Sequence, residues 1–155
     1  MKQAFGGWEL TGIFSASSGA PLTVRAGVDQ SLTGQGLDTA DLVGSWRFTQ
    51  DRARARQVQQ WFNTSAFALP ALGTYGTSGI NIVSGPAMSN LDLALFRNIR
   101  IRERFNIQFR AEFFNALNHP VLGNPNTTFT SATFGQITST QTAPRVGELG
   151  LKLLF

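Results

Sequence analysis

The chain has 155 residues, a formal net charge of +4, 42% hydrophobic residues and only 14% charged residues. This charged fraction is well below the roughly 25% of ordinary soluble domains, so a densely charged, solvated surface is not expected. The absence of cysteine excludes disulfides, thiolate metal sites and cysteine nucleophiles. Thirteen Phe and sixteen Gly favour strands and turns, and we therefore expect an all-β fold.

The first predicted strand covers residues 8–18. Its alternation places five residues on one face, with Ile13 as an exception on the other face: Trp8, Leu10, Gly12, Phe14 and Ala16. The residues before it have neither the apolar run nor the cleavage site of a secretory signal. No apolar run reaches the ~18 residues of a membrane-spanning helix, so any membrane role must depend on strands.

Residues 19–88 are predicted to form a long connection rich in Gly, Pro, Ser, Thr and Asn. A structureless loop of this length argues against a compact soluble domain. Four arginines cluster within the segment, and they are the starting point for any nucleic-acid-binding interpretation: Arg47, Arg52, Arg54 and Arg56. No helix-turn-helix or RNA-binding signature surrounds them. We therefore expect a solvated basic loop or short helix and no nucleic-acid partner.

The second predicted strand covers residues 89–101. Apolar positions form one face, namely Leu91, Leu93, Leu95, Ile99 and Ile101. The opposite face carries Asp92, Ala94, Phe96, Asn98 and Arg100. Arg97 interrupts the apolar face. Either a bulge changes the phase of the strand at this position or the arginine extends to an interface.

The third strand, residues 104–117, has the clearest alternation. Its apolar face consists of Phe105, Ile107, Phe109, Ala111 and Phe113, and its polar face of Asn106, Gln108, Arg110 and Glu112. Only residues 102–104 separate it from the second strand, which predicts a tight β-hairpin. Its length is close to the ~9 to 11 residues that a tilted transmembrane strand needs.

The fourth strand, residues 144–155, aligns Leu149, Leu151, Leu153 and Phe155. Long connections precede the second and fourth strands, whereas a short turn precedes the third. Outer-membrane barrels have long extracellular loops and short periplasmic turns. Because successive strands alternate in direction, the fourth strand then runs inward, and Phe155 is expected at the periplasmic rim. The predicted fold is four long antiparallel strands that form an open segment of a transmembrane β-barrel, with long extracellular loops.

The motifs also resemble a known family. They are Trp61-Phe62-Asn63-Thr64-Ser65-Ala66-Phe67, Leu91-Asp92-Leu93-Ala94-Leu95-Phe96-Arg97-Asn98, Phe109–Pro120 and Phe134-Gly135-Gln136-Ile137, preceded by Trp8 and Ser18–Val24. Together they resemble the end of the barrel of Oar-like TonB-dependent receptors. This chain departs from the family at Ile80 and Ser84, where members of the family often have Arg.

The resemblance implies a 22-strand outer-membrane barrel with an N-terminal plug, driven by the TonB complex through a short N-terminal box. Neither plug nor box occurs in this sequence, so residues 1–155 are expected to be the C-terminal part of such a receptor, a transporter for an unidentified solute. The partners implied are outer-membrane lipid, the barrel-assembly machinery and the remaining barrel and plug. The end of the chain resembles the assembly signal of these barrels at Glu148, Gly150, Leu153 and Phe155.

If the alternating strands line a barrel, six polar residues are predicted to face its lumen: Asp92, Arg100, Asn106, Gln108, Arg110 and Glu112. Asp92 and Glu112 could form a carboxylate pair, but arginines on the same faces favour ion pairs over acid/base chemistry. His119 is the only histidine and lacks partners for a triad or metal site. We therefore expect no enzyme activity, metal or cofactor.

Two other architectures remain open from the sequence. A soluble all-β binding or adhesion module would cover the apolar strand faces with a second sheet or a helix. An oligomeric barrel with four strands per subunit would pair the first and last strands between copies.

Overall fold

The computed structural model describes residues 6–102 and 105–155. Residues 1–5 and the predicted turn residues Glu103 and Arg104 lie outside this range. The elements in chain order are β1 (Trp8–Ser17), β2 (Pro21–Leu22), β3 (Asp41–Leu42), α1 (Arg54–Gln59), a 3-10 turn (Thr64–Ala66), β4 (Phe67–Ala68), β5 (Val83–Ser84), β6 (Met88–Arg102), β7 (Phe105–Phe114) and β8 (Val146–Leu154). No helix in the described part of the chain is long and apolar enough to cross a membrane.

The four long strands form one antiparallel sheet in the order β1–β6–β7–β8. They belong to a compact sheet unit, which comprises the residues up to Ser17, Met88–Val121 and Gln141–Phe155. The predicted four-stranded antiparallel sheet is confirmed, including the pairing of the second strand with the third and of the third with the fourth.

The third strand is shorter than predicted, because β7 ends at Phe114 and not near Leu117. Asn115 adopts a positive φ of 51°, a left-handed conformation that cannot continue a strand and that Asn tolerates better than most residues. Its backbone N–H donates to the Asp92 carboxylate (2.8 Å), and its side-chain amide donates to the Ala143 carbonyl (3.1 Å). β8 begins at Val146, two residues after Pro144, which has no N–H to donate to a sheet.

The register of the sheet agrees with the alternation in the sequence. Leu95 on β6 lies opposite Leu10 on β1 and Ala111 on β7, whereas its neighbour Ala94 lies opposite Thr11 and Glu112. Residues directly opposite each other share a face. One face of the sheet is therefore apolar and the other polar, and we call them the apolar face and the polar face.

Arg97 lies on the apolar face without disturbing the register, so the expectation of a bulge at this position is wrong. It pairs with Trp8 on one side and Phe109 on the other. Its guanidinium lies 5.0 Å from the centre of the Trp8 ring, and Trp8 meets Phe109 edge to face at 6.0 Å. The aromatic rings thus accommodate the charge on this face. The irregularity in the β6–β7 ladder occurs instead between Arg100 and Arg102.

The predicted long connection is not structureless. Ser18–Ala87 and Leu122–Thr140 form a second compact unit, the loop unit. It contains two short antiparallel pairs, β2 with β5 and β3 with β4. The expectation of a structureless loop, and the argument drawn from it against a soluble domain, are therefore wrong. The segment shows no single periodicity because its contacts are irregular and distant in sequence.

The loop unit has its own hydrophobic core. The buried residues of this core are Val24, Ala40, Phe62, Ala66, Phe67 and Val83. Phe62 meets both Phe67 and Phe134 edge to face, with ring centres 5.6 and 5.3 Å apart. Aromatic pairs in this geometry stabilise beyond the area that they bury.

The carboxylate of Asp38 orders a turn in the loop unit. Its Oδ2 accepts a hydrogen bond from the backbone N–H of Ser31 (2.7 Å). This bond lowers the pKa of the Asp38 carboxyl below its ordinary value, although burial opposes the shift. Asp29 orders the same segment by accepting hydrogen bonds from the backbone N–H groups of Thr33 (3.1 Å) and Gly34 (2.7 Å).

We predict that Phe62→Ala lowers the free energy of unfolding of the loop unit by about 3–5 kcal/mol, because it removes a fully buried ring and leaves a cavity. Urea unfolding followed by tryptophan fluorescence measures this change. Leu72→Ala is the matched control: Leu72 is 72% exposed, and its truncation should change stability by less than about 0.5 kcal/mol. Equal effects of the two substitutions would contradict the position of the core.

We also predict a pH-dependent contribution from Asp38. Because its native pKa is lowered, the stability that its charge confers is present above the unfolded pKa of about 3.9 and is lost as the pH falls through the native pKa. Asp38→Asn should therefore destabilise the loop unit near neutral pH, and the difference from wild type should shrink under acid. Exposed Asp51→Asn is the control. A difference that grows on acidification would contradict the assignment.

Candidate functional site

The polar face of the sheet carries a row of charged and aromatic side chains at its centre. Arg110 on β7 forms an ion pair with Glu112 two residues further along the same strand. Its guanidinium also lies 5.4 Å from the ring centre of Phe96, the residue directly opposite on β6. Glu148 on β8 lies directly opposite Glu112. The positive charge of Arg110 thus stands among two carboxylates and offsets their repulsion.

Polar amides and further charges extend this row along the sheet. The Gln108 amide donates to the Asn98 side-chain oxygen (3.1 Å) across the β6–β7 pair. Arg100 lies opposite Asn106, and Lys152 lies opposite Gln108. The structure therefore places all six predicted lumen residues on a single face. That this face borders a lumen stays a prediction.

Asp92 and Glu112, considered from the sequence as a carboxylate pair, do not lie directly opposite each other, because Glu112 lies opposite Ala94. The Oδ1 of Asp92 accepts from the Asn90 amide (3.0 Å) and from the Asn115 backbone N–H (2.8 Å). The carboxylate therefore helps to fix the end of β7. Among the described residues, no group of three or more His, Cys, Asp or Glu side chains is arranged to hold a metal ion.

His119 lies in the segment after β7, where its backbone N–H donates to the Asn115 side-chain oxygen (2.9 Å). Asn115, at 5% exposure, therefore links three segments of the sheet unit through Asp92, His119 and Ala143. Sequence reasoning singled out His119 and passed over Asn115. The signal that could have found it is an Asn directly after a strand, a residue type that readily adopts positive φ.

The four residues of the predicted assembly signal lie on or beside β8. Glu148 and Gly150 occupy the polar face, opposite Glu112 and Arg110, whereas Leu153 lies on the apolar face opposite Ile107. Phe155 follows the end of β8 and is 92% exposed. Their role in assembly stays a prediction.

The apolar face remains exposed to an extent that soluble sheets avoid. Leu10, Phe14, Leu149 and Leu151 are between 65% and 76% exposed. Large contiguous apolar surfaces of this kind mark contacts with a membrane or a partner.

A family model described as outer membrane beta barrel domain matches residues 1–148. The chain belongs to this family. No curated protein and no solved structure matches it. Membership of the outer membrane β-barrel family places the protein in the bacterial outer membrane. It also explains why a sheet with a polar face and an apolar face carries its large apolar residues on the surface.

The loop unit of this β-barrel protein contains a second set of side chains, in the segment expected from its arginines to be a basic loop or short helix. Arg52 lies 3.8 Å from the ring centre of Phe48 and donates to the carbonyls of Gln60 (2.7 Å) and Arg56 (3.1 Å). Arg47 lies 4.7 Å from the ring centre of Trp46. The signal available in the sequence was the interleaving of arginine with aromatic residues.

We predict that Leu95→Arg impairs the barrel far more than Ala94→Arg. Leu95 lies at the centre of β6 on the apolar face, where an arginine in mid-membrane costs about 2–4 kcal/mol. Ala94 lies on the polar face opposite Glu112, which can pair with the new charge. The folded fraction in outer-membrane preparations, measured by heat-modifiable migration on gels, reports the difference. Greater damage from Ala94→Arg would mean that the two faces are exchanged.

Proposed function

We propose that the chain is part of the barrel of an Oar-like TonB-dependent receptor, which imports a solute across the outer membrane and is not an enzyme. The observation that carries the proposal is a sheet with one polar face, one exposed apolar face and an unpaired edge on each side. The motifs that resemble the receptor family support it further.

The two edges require additional strands. β1 and β8 each pair with only one neighbour in the described sheet. Single-chain barrels need at least about eight strands to close, and in lipid each unpaired backbone group costs several kcal/mol. Four strands alone are therefore not expected to form a transporting barrel. The remaining strands of a receptor barrel would supply the missing partners.

The polarity of the faces supports a transmembrane position. We infer that the apolar face meets outer-membrane lipid and that the polar face, with Arg110, Glu112 and Glu148 at its centre, lines the lumen. A charged row is costly in hydrocarbon but is well solvated in a water-containing barrel or against a plug.

The connections support an orientation. The segments that lead from β1 to β6 and from β7 to β8 leave the sheet at the same end, because neighbouring strands are antiparallel. The β6–β7 connection, at the other end, spans two residues. In outer-membrane barrels the long loops are extracellular and the short turns periplasmic. We infer that the two long connections begin on the extracellular side and that the hairpin faces the periplasm, on the side of the TonB complex.

The described residues favour transport over catalysis. Two acidic groups on the polar face are held by partners, Glu112 by its ion pair with Arg110 and Asp92 by a hydrogen bond from the Asn90 amide. The only histidine contributes its backbone to a local hydrogen bond. A general acid or base must instead be held within reach of a substrate and of a partner that tunes its pKa.

Loss of the gene in the bacterium that carries it tests this proposal. We predict that a deletion strain, screened on a panel of nutrients and metal sources, takes up one solute at least tenfold more slowly than its parent. Inactivation of the TonB complex should cause the same defect for that solute, with no further loss in the double mutant. A protonophore should stop uptake in the parent, because TonB-dependent import needs an energised inner membrane.

Two outcomes would contradict the proposal. Uptake that depends on the gene but continues without TonB and with the protonophore would indicate a passive channel. A stable oligomer of the 155-residue chain that restores uptake by itself would favour a barrel with four strands per subunit. The complemented deletion strain is the control for both measurements.

A further inference from the structure

We propose that the loop unit contains a binding site for a hydroxylated ring compound that carries a carboxylate, such as a uronic acid or a hydroxybenzoate. The site is a cleft between Trp46 and Trp61, with Arg47 as the group that pairs with the carboxylate. The proposal rests on the proposed transport function and names the chemical class of solute that the exterior of the barrel captures first.

The cleft has the size and the lining of a small-molecule site. It encloses about 450 Å³, within the range of about 300–1,000 Å³ typical of ligand pockets. Its walls include two indoles, one phenyl ring, two guanidiniums and the polar side chains of Gln50 and Asp51. A second cleft of about 380 Å³ shares Phe48, Gln50, Asp51 and Arg52 with it.

The aromatic walls are held rigidly. Trp46 and Trp61 both pack against the buried core of the loop unit. The Trp61 indole N–H donates to the Ser84 carbonyl (2.7 Å), and the carbonyl of Trp46 accepts from the Asn63 backbone N–H (2.9 Å). Ring surfaces fixed in this way can stack on a planar or chair-shaped ring without losing much side-chain entropy on binding.

The charges of the cleft favour an anion. The lining of the cleft contains two arginines, Arg47 and Arg52, and one aspartate, Asp51, a net charge of +1. Arg52 is committed to the fold through its hydrogen bonds to the carbonyls of Gln60 and Arg56. Arg47 is exposed and stacks on Trp46, and no described residue accepts a hydrogen bond or forms an ion pair with its guanidinium. A guanidinium in this situation presents a planar fork that matches a carboxylate.

The remaining polar groups select a hydroxylated ring. Gln50 and Asp51 line the same cleft and are both exposed. Their oxygens can accept hydrogen bonds from ring hydroxyls, while Arg47 binds the carboxylate and an indole covers the ring face. The carboxylate, the ring face and the hydroxyls of the ligand are thus each bound by a different group in the cleft.

Binding to the protein purified from outer membranes in detergent tests the assignment. The probes are galacturonate and 2,3-dihydroxybenzoate, each compared with its neutral counterpart, galactose or catechol. Fluorescence of Trp46 and Trp61 in a Trp8→Phe background follows the titration, since these are the other two tryptophans of the chain. We expect at least one acid to bind about tenfold more tightly than its neutral counterpart. A preference for galacturonate would identify the ligand as a sugar acid, and a preference for 2,3-dihydroxybenzoate would identify it as an aromatic acid.

The variants separate a binding role from a structural one. Arg47→Gln should abolish the preference for the acid and leave binding of the neutral ring unchanged, whereas Arg47→Lys should retain part of the preference. Arg145→Gln, an exposed arginine of the sheet unit, removes the same charge and should bind like the parent. Trp46→Phe keeps an aromatic ring against the core and should weaken both the acid and the neutral compound.

Several results would overturn the inference. They are equal affinity for acids and neutral counterparts, retention of the acid preference in Arg47→Gln, and tight salt-sensitive binding of a single-stranded DNA oligomer in place of either acid. Because binding is measured on purified protein without an energised membrane, these results do not bear on TonB dependence. Conversely, normal binding combined with TonB-independent uptake would refute the receptor and leave the cleft assignment intact.

Discussion

The register of β6 against its two neighbours is the constraint on which the sheet unit depends. Residues Leu93 to Arg97 pair on one side with β1 and on the other with β7. In a membrane the backbone N–H and C=O groups have no water to bond with, so these ladders must be complete. Because side chains alternate with a period of two, a slip of one residue would exchange Leu95 with Ala94 and invert both faces. The apolar and polar faces therefore follow from one pairing.

The two units solve the problem of hydrophobic burial in different ways. In the loop unit, Val24, Phe62 and Val83 are fully buried, and aromatic contacts join the segments around them. In the sheet, Ala111 is buried but Leu149 and Leu151 are each 76% exposed. The loop unit thus resembles a small water-soluble domain with an internal core. The apolar surface of the sheet is exposed, as expected of an outer-membrane protein whose strands contact lipid.

The strands could be predicted from the sequence because a period-two pattern is local. The pattern over residues 105–113 fixed both the strand and its faces, and it left only the end at Asn115 to be corrected. Arg97 broke the pattern, and the sequence offered no way to choose between a bulge and a local partner. The choice depended on Trp8, which is 89 residues away in sequence and directly opposite in the sheet.

The loop unit could not be predicted in this way, because its core joins residues with no shared period. Val24, Phe62 and Phe134 lie far apart in the chain, and Phe62 and Phe134 are each followed by a residue that favours turns, Asn63 and Gly135. The cleft has the same origin. Trp46 and Trp61 come together because both pack on this core, whereas their spacing in sequence specifies no element. The sequence shows arginines interleaved with aromatic residues in this segment, but it does not show which rings the arginines stack on.

The core also couples two connections that are separate in the chain. The Trp61 backbone N–H donates to the Gly135 carbonyl (2.7 Å), and the Ile137 N–H donates to the Val58 carbonyl (2.9 Å). Phe134 completes the contact by packing on Phe62. The segment that leads to β6 therefore cannot open without exposing part of the segment that leads to β8. A solute held between Trp46 and Trp61 stabilises the folded state that contains both segments, by an amount that grows with its concentration relative to its dissociation constant. Occupancy of the cleft is in this way linked to the order of both long connections, although only the connection between β1 and β6 lines the cleft.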